Sequence, residues 1–213
     1  MATNEQGILG GFSGRVGTVV GGNWNGIDFM RGKPAHITNP RTTAQQDQRV
    51  RMGIIINFLS PLKAFLCIGF KKHAIKMSAF NAATSYNLAH AIRGRYPNYL
   101  VDYSKVMVSQ GKLMGALNPE INSSTNGQIE FTWKDNSSAN GALRDDKAVV
   151  VVYNPEKKLA ITSLAGNSRE DGSQVITLPV NFAGDEVQCY IAFQNANQTV
   201  ISDSGFAGSI LVK

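Results

Sequence analysis

The opening of this chain is too rich in glycine to be helical or to build a core of its own. Nine glycines lie between Gly7 and Gly32, with few large apolar side chains among them. Glycine costs about 1 kcal/mol in a helix interior and contributes no side chain to packing. We therefore expect this segment to lie on a surface supplied by the helices, by the β-rich half of the chain or by a neighbouring subunit.

Two extended runs within this segment predict a β-hairpin. Residues 17–24 and 27–31 flank Asn25-Gly26, the dipeptide best suited to a two-residue type I′ turn. A glycine-rich strand edge lets another backbone approach and leaves ladder hydrogen bonds for it to make. Residues 11–17 contain neither Gly-x-Gly-x-x-Gly nor Gly-Lys-Ser/Thr, so we interpret them as part of a flexible arm and not as a nucleotide site.

A helical pattern begins abruptly after Pro40. Proline keeps Asn39 out of the α region, and Thr42 or Thr43 can cap the helix that follows. The helix is predicted from Thr43 to about Leu66, with a kink or break at Pro61 after Leu59 and Ser60 as the cap of a second piece. Its apolar stripe comprises Val50, Ile54, Phe58 and Phe65, with Ile55, Leu59 and Leu62 beside it.

A second helix is predicted from Ser78 to Ile92, capped by Ser78 and closed by Gly94. Its buried side is marked by Phe80, Ala83, Leu88 and Ala91. Trp24, Tyr86, Tyr96 and Tyr99 could be exposed recognition aromatics, and we favour packing roles for them because large aromatic side chains are mostly buried.

The last hundred residues change to a β pattern. Short apolar or alternating runs are separated by Asn-Gly, Asn-Pro, Asp-Gly and Ser-Gly turns. These runs are 128–133, 147–153, 158–163, 174–178, 186–193 and 208–212. Six or seven strands in this length predict an immunoglobulin-like β-sandwich.

Charge is divided unevenly along the chain. Residues 1–112 carry 14 Lys and Arg against 4 Asp and Glu, a formal charge of +10, whereas residues 113–213 carry 7 against 11, a charge of −4. A basic half could meet nucleic acid, a membrane surface or an acidic protein, and the acidic half of another copy is one such protein surface.

No pattern in the sequence is typical of catalysis or of metal binding. Cys67 and Cys189 lie in apolar runs without Cys-x-x-Cys spacing, so we expect both to be reduced and buried. His36, His73 and His90 lack ligand spacing, and no Gly-x-Ser-x-Gly or His-Glu-x-x-His motif occurs. The sequence therefore predicts a non-enzymatic protein without cofactor or metal. Without a secretory signal or a long uninterrupted apolar run, we expect it to be made in a cytoplasm and kept or packaged there, with no membrane span.

Three strand sequences resemble a fibronectin type III or immunoglobulin-like module. They are Phe131-Thr132-Trp133, the run 149–153 and the run 187–193, which look like its second, third and sixth strands. The resemblance implies that Trp133 packs between the sheets and that Tyr190 lies near the corner preceding the last strand. Since Cys189 has no disulfide partner, the fibronectin-like version is favoured.

A second resemblance covers nearly the whole chain. Residues 11–17, the signature Asn39-Pro40-Arg41-Thr42-Thr43-Ala44-Gln45-Gln46, residues 80–87 and Tyr96-Pro97-Asn98-Tyr99 resemble a family of uncharacterised proteins from Bacteroidetes genomes. The Asn-Pro-Arg-Thr-x-Ala-Gln-Gln signature is also similar to segments of phage and prophage proteins. The family supplies no activity, and the resemblance implies a mobile-element or virion-associated protein.

These observations predict an α+β chain in three parts: a glycine-rich arm with a hairpin over residues 1–38, a unit of two or three helices over 39–98, and an immunoglobulin-like or fibronectin-like β-sandwich over 99–213. We expect a structural or assembly protein of a phage or phage-like particle, whose partners are copies of itself, in a homo-oligomer, or other particle proteins. The candidate subunit interface comprises Gly14, Val16, Val19, Trp24, Phe29, Arg31, Arg41, Gln45 and Arg49. The alternative is a nucleic-acid-binding protein that uses Arg41, Arg49, Arg51, Lys71, Lys72 and Lys76.

Overall fold

The computed structural model describes residues 3–4, 10–24, 26–138 and 141–213. Its α+β architecture is the predicted one, with an N-terminal arm, a central helical unit and a C-terminal β-sandwich. The arm is an antiparallel sheet of four strands in sequential order. These are β1 (Thr3–Asn4), β2 (Phe12–Val16), β3 (Val19–Trp24) and β4 (Ile27–Gly32).

The predicted hairpin is formed by β3 and β4, in a register that pairs Trp24 with Ile27. Its turn places Gly26 at a φ of +79°, and the Gly26 N–H donates to Asn23 Oδ1 at 3.1 Å. The other turn residue, Asn25, lies outside the described residues. The hairpin is confirmed by its strands and their register.

Two glycines of β3 leave room for the rings of Phe12 and Phe29 on the neighbouring strands. A Cβ at Gly21 would lie 2.3 Å from the Phe12 carbonyl oxygen and 2.6 Å from the Phe12 ring. A Cβ at Gly22 would lie 2.8 Å from the ring of Phe29. Each ring thus covers a bare backbone on the neighbouring strand, which gives a glycine-rich sheet apolar contacts that it would otherwise lack.

A fully exposed linker joins the arm to the first helix. Every residue from 33 to 42 is exposed, and Pro34 and Pro40 restrict its backbone. Arg41 takes a φ of +49°, which turns the chain sharply into the helix. Ten exposed residues outside any helix or strand thus separate the arm from the first helix along the chain.

The helical unit contains α1 (Thr43–Leu59), α2 (Lys63–Gly69) and α3 (Ala79–His90). Thr42 caps α1 by accepting the N–H of Gln45, and Ser78 caps α3 by accepting the N–H of Asn81, both as predicted. The break at Pro61 is also confirmed, because a 3-10 turn over Ser60–Leu62 separates α1 from α2.

Two predicted helix ends were wrong. The Ser60 hydroxyl does not cap α2, because it donates to the Ile56 carbonyl in the last turn of α1. Gly94 does not close α3, which ends at His90. Gly94 belongs instead to a hairpin of β5 (Ile92–Arg95) and β6 (Asn98–Val101), where it pairs with Tyr99 at a φ of +103°.

The C-terminal sandwich has two antiparallel sheets, of three and four strands. One sheet has the order β11-β8-β7 and the other the order β10-β9-β12-β13. Their bounds are β7 (Leu117–Asn122), β8 (Gln128–Lys134), β9 (Lys147–Asn154), β10 (Leu159–Ser163), β11 (Ser173–Thr177), β12 (Glu186–Gln194) and β13 (Gly205–Leu211). The three resembling runs are its second, third and sixth strands, as expected.

Strands β9 and β12 are buried on both faces, because the helices cover the outer side of their sheet. Val150 and Val152 join the sandwich core, whereas Val149 and Val151 join a second core with Phe58 and the other buried side chains of the helices. The Phe58 ring lies edge-on to Tyr153 of β9, with ring centroids 4.8 Å apart. The helices and the two sheets therefore form three layers, with one hydrophobic core on each side of the β10-β9-β12-β13 sheet.

Of the two aromatic residues whose positions the resemblance implied, Trp133 lies where expected and Tyr190 does not. Trp133 is buried between the sheets as expected and lies edge-on to Phe193, with ring centroids 5.4 Å apart. Tyr190 does not lie at a corner. It is in the middle of β12, faces the helices and donates from its hydroxyl to the Tyr103 carbonyl at 3.0 Å.

Cys189 is buried in the sandwich core, but Cys67 is exposed on α2, so the expectation that both cysteines are buried was wrong for Cys67.

The helical stretch Thr43–Gly69 is long and apolar enough to cross a membrane by length and composition alone, and 39% of its most apolar window is buried. A core helix meets the same criteria, and the side chains of Ile55, Phe58 and Leu59 lie in the core.

Candidate interaction surface

The pairing register assigns the side chains of the arm to two faces. Arg15 and Arg31 both pair with Val20, Phe29 pairs with Gly22, and Ile27 pairs with Trp24. Since paired residues share a face and alternate residues along a strand share it too, these side chains lie on one side of the sheet. We call this side, defined by Arg15, Val20, Trp24, Ile27, Phe29 and Arg31, the arginine face.

The arginine face is apolar at its centre and basic at one end. Trp24, Phe29 and Ile27 are 54%, 44% and 42% exposed. Arg15 is partly engaged, since its Nε donates to the Gly17 carbonyl at 2.9 Å. Arg31 is exposed and makes no side-chain hydrogen bond or ion pair within the described residues.

The opposite face of the arm carries Phe12, Val16, Val19 and Met30, of which Val16 is 57% and Met30 72% exposed. Asp28 lies on this face and accepts from Asn23 Nδ2 at 2.7 Å. Gly14, the remaining predicted arm residue, pairs with Gly21. Both sides of the arm sheet thus expose apolar side chains, an arrangement typical of a surface that binds a partner.

In the described part of the chain, neither hydrophobic core includes an arm residue, and no strand pairs with the outer edge of β4. The structure brings the predicted interface residues Gly14, Val16, Val19, Trp24, Phe29 and Arg31 together in one sheet. Ile27 and Met30 are also exposed on this surface but were not among the predicted interface residues. The alternation of side chains along the hairpin strands could have identified both.

The signature around Pro40 holds the start of α1 in place. Asn39 accepts from Arg49 Nη2 at 2.8 Å, and Gln46 donates from Nε2 to the Arg41 carbonyl at 3.2 Å. Gln46 Oε1 also accepts from the Tyr96 hydroxyl at 3.1 Å. Arg49 is therefore engaged within the chain, whereas the side chains of Arg41 and Gln45 are exposed.

Arg51, a residue of the nucleic-acid alternative, is also engaged. Its Nη2 donates to the Leu88 carbonyl at 3.4 Å, and its guanidinium carbon lies 5.8 Å from the centre of the Tyr99 ring. The Tyr99 hydroxyl donates to Asp47 at 2.5 Å, and this hydrogen bond raises the pKa of Tyr99. Arg51 thus helps to join α1 to α3 and to β6.

The three lysines of that alternative lie elsewhere. Lys71 and Lys72 follow α2 in a 3-10 turn, at the rim of a cavity of about 140 Å³ whose other walls include Gln110 and Gln194. Lys76 lies in the connection to α3 and is exposed. Arg51 contacts Leu88 near the C-terminal end of α3, whereas Lys76 precedes its first turn, and this helix is ~18 Å long. The arginines and the lysines therefore form two groups and not one stripe.

The outer side of the β11-β8-β7 sheet is acidic. Glu130 of β8 pairs with Asn122 and Val175, and Glu120 of β7 pairs with Thr132. These side chains face away from the core, because Ile129 and Phe131 between them are buried. We call this side, defined by Glu120, Asn122, Gln128, Glu130, Thr132 and Val175, the glutamate face.

The glutamate face contains a shallow depression beside Glu130. Its volume is about 90 Å³, and Asn122, Gln128 and Val175 contribute to its lining. Val175 is 47% exposed. Lys134 stands at the end of β8, beyond Thr132, and is exposed as well.

A buried ion pair holds the loops at one end of the sandwich. Arg169 is fully buried and donates from Nη2 to Asp146 Oδ2 at 3.1 Å. Its Nη1 donates to Asn136 Oδ1 at 2.5 Å, and its guanidinium carbon lies 3.9 Å from the centre of the Phe193 ring. Burial lowers the pKa of Arg169, an effect that the hydrogen bond to Asp146 opposes. No sequence pattern marked this pair.

Across the described ranges, no group of three or more His, Cys, Asp or Glu side chains is placed to hold a metal ion. The exposed apolar arm, the acidic sheet face and the basic groups are surfaces for contact and not enclosed reaction sites.

The sequence matches the family of unknown function DUF6266 over residues 11–208. The chain belongs to this family. The DUF6266 match runs from the arm through the helices into the last strand of the sandwich, so the three parts belong to one family unit. No protein among the curated sequences matches the chain.

Among solved structures, the chain is similar to the fibronectin type III domain of the human collagen alpha-1(XX) chain, determined in solution. The two are 11% identical, with a TM-score of 0.32, and the similarity covers 47% of this chain and 85% of that chain.

Proposed function

We propose that this chain is a non-enzymatic assembly protein of a phage or phage-like particle, which associates with copies of itself through its arm and displays the β-sandwich. The observation that carries the proposal is the arm sheet, which exposes apolar side chains on both faces at the end of an exposed linker. Burial of such side chains against a partner stabilises an assembly by about 1.5–3 kcal/mol for each large residue.

A second copy is the partner that the charges favour. The first half of the chain carries +10 and the second half −4, so the basic part of one copy is attracted to the acidic part of another. The particle context is supported by the similarity of the Asn39–Gln46 signature to segments of phage and prophage proteins. Within this chain the signature fixes the point at which the linker enters α1.

Light scattering coupled to size-exclusion chromatography, at low and at high salt, tests the proposal. We expect the wild-type protein to associate and the association to weaken as salt screens the charges. Trp24→Lys and Met30→Lys place a charge on opposite faces of the arm, at positions that are 54% and 72% exposed and therefore tolerate lysine. At least one of them should reduce association.

The matched control is Val180→Lys, since Val180 is an apolar residue of the sandwich that is 91% exposed. It should associate like the wild type. A wild-type protein that is monomeric at every concentration would overturn the proposal, and so would association that neither arm variant reduces.

Nucleic-acid binding by the basic residues is less well supported. Arg49 and Arg51 are engaged within the chain, and the lysines lie apart from them. Binding to phosphates would give an affinity that falls steeply with salt. A gel-shift assay at low salt with Lys71→Glu and Lys72→Glu tests it: retardation that both variants abolish would favour this alternative over self-association.

A further inference from the structure

We propose that the arginine face of the arm docks on the glutamate face of a second copy, with the Arg31 side chain in the depression beside Glu130. This inference rests on the proposed self-association and names the surface that receives the arm. It concerns one defined pair of surfaces and one residue on each.

The two faces match in charge and in character. Among the described residues the arginine face carries Arg15 and Arg31 and no acidic residue. The glutamate face carries Glu120 and Glu130, and Lys134 lies on the same side at the far end of β8. Val175, 47% exposed, supplies apolar surface beside Glu130, as Phe29 does beside Arg31. Charge complementarity between two sheet faces sets both the choice of partner and the orientation of docking.

The two faces also match in size. Three strands spaced ~4.8 Å apart, each five to seven residues long, present a footprint of ~14 Å by ~17–23 Å. The strands β2–β4 of the arm and the sheet β11-β8-β7 both have these dimensions. Sheets stacked face to face lie ~10 Å apart, a distance that arginine and glutamate side chains can span together.

Arg31 is the arginine best placed to enter the depression. Arg15 already donates to the Gly17 carbonyl, whereas Arg31 has no side-chain partner among the described residues. The depression has a volume of about 90 Å³. This is several times the ~10–15 Å³ that one water molecule requires, so the depression has room for the planar guanidinium group. Glu130 would accept its hydrogen bonds, and Asn122 and Gln128 offer further amide oxygens.

The test exchanges the charges of full-length chains and measures association by sedimentation equilibrium. Arg31→Glu alone and Glu130→Arg alone should each weaken association at least ~10-fold, because each places like charges against one another. The two single variants mixed in equal amounts should recover association, since every contact between unlike copies again joins an arginine to a glutamate. Glu156→Arg, an exposed glutamate in the turn after β9, is the matched control and should have no effect.

The outcomes separate this inference from the proposed function. Restored association in the mixture supports it, since a defect in folding of either variant could not be repaired by mixing. A wild type that associates through the arm, but whose association Glu130→Arg leaves unchanged, overturns the docking surface and leaves self-association standing. A mixture that stays as weak as the single variants also overturns it, and a monomeric wild type overturns both.

Discussion

Replacing Arg169 by methionine measures what the buried ion pair contributes to stability. The guanidinium has five N–H groups, and the structure gives them five contacts: two to Asp146 Oδ2 and one each to Asn136 and the carbonyls of Met114 and Gly115. Methionine keeps much of the apolar volume but leaves the Asp146 carboxylate buried without its counter-charge. Removing one partner of a buried pair costs about 3–5 kcal/mol, so we expect a loss of about 4 kcal/mol.

Urea unfolding monitored by tryptophan fluorescence gives the measurement. Trp133 reports on the site directly, because its indole N–H donates to the Arg169 carbonyl at 2.8 Å. If the free energy of unfolding falls by ~2 kcal/mol per molar urea, the urea concentration at the midpoint of unfolding should fall by ~2 M. Adding Asp146→Asn to the methionine variant should recover ~2 kcal/mol, since it removes the unpaired charge and keeps an oxygen for the Leu143 N–H.

Lys105→Met is the matched control. Lys105 pairs with Asp102 near the surface at 3.5 Å, and its side chain is 66% exposed. An exposed pair contributes at most ~1 kcal/mol, so this variant should unfold close to the wild-type midpoint. Two results would contradict this expectation. One is a free energy of unfolding for Arg169→Met within ~1 kcal/mol of the wild-type value, and the other is no gain in that free energy when Asp146→Asn is added.

Three further outcomes are expected. Gly21→Val should disrupt the pairing of β2 with β3, because its Cβ would lie 2.3 Å from a carbonyl oxygen of β2, and hydrogen exchange of the arm amides should accelerate. Asn87→Leu should cost ~2–3 kcal/mol in urea unfolding, since this buried amide donates two hydrogen bonds and accepts one. A thiol reagent at neutral pH should modify Cys67 alone in the folded protein and both cysteines after unfolding. Burial raises the pKa of Cys189 to about 12 and keeps it as the unreactive thiol.

Each of these has its own control. Gly32→Val in β4 meets no atom within 4 Å and should leave arm exchange unchanged. Asn81→Leu on the exposed side of α3 should change stability little. Rapid modification of both thiols in the folded protein would contradict the described burial of Cys189.

Local chemistry predicted most of the element boundaries. Thr42 and Ser78 each have a side chain that can cap a helix, and Pro61 cannot continue one, so these positions could be identified without any tertiary information. The end of α3 could not, because Gly94 suits a tight hairpin as well as a helix end, and only the pairing with Tyr99 decides between them.

Tertiary packing decided what the sequence left ambiguous. The run Val149–Val152 indicates a strand but does not show that the helices cover its second face, and this cover also explains why Tyr190 faces the helices. Strand β7 was missed because Asn118, Pro119 and Glu120 give it little strand character. The arm surface followed from the hairpin prediction, but the Arg169–Asp146 pair joins distant loops and leaves no local signal.

The length of the linker limits how two copies can engage each other. Ten extended residues reach at most ~36 Å, so the arm works as a short tether and samples only a small volume around the start of its helix. If two copies exchange arms reciprocally, docking of the first arm holds the second near its own target at a millimolar effective concentration. Avidity of this kind would make a dimer held by two weak contacts dissociate slowly. A longer linker would lower the effective concentration of the second arm without altering either face.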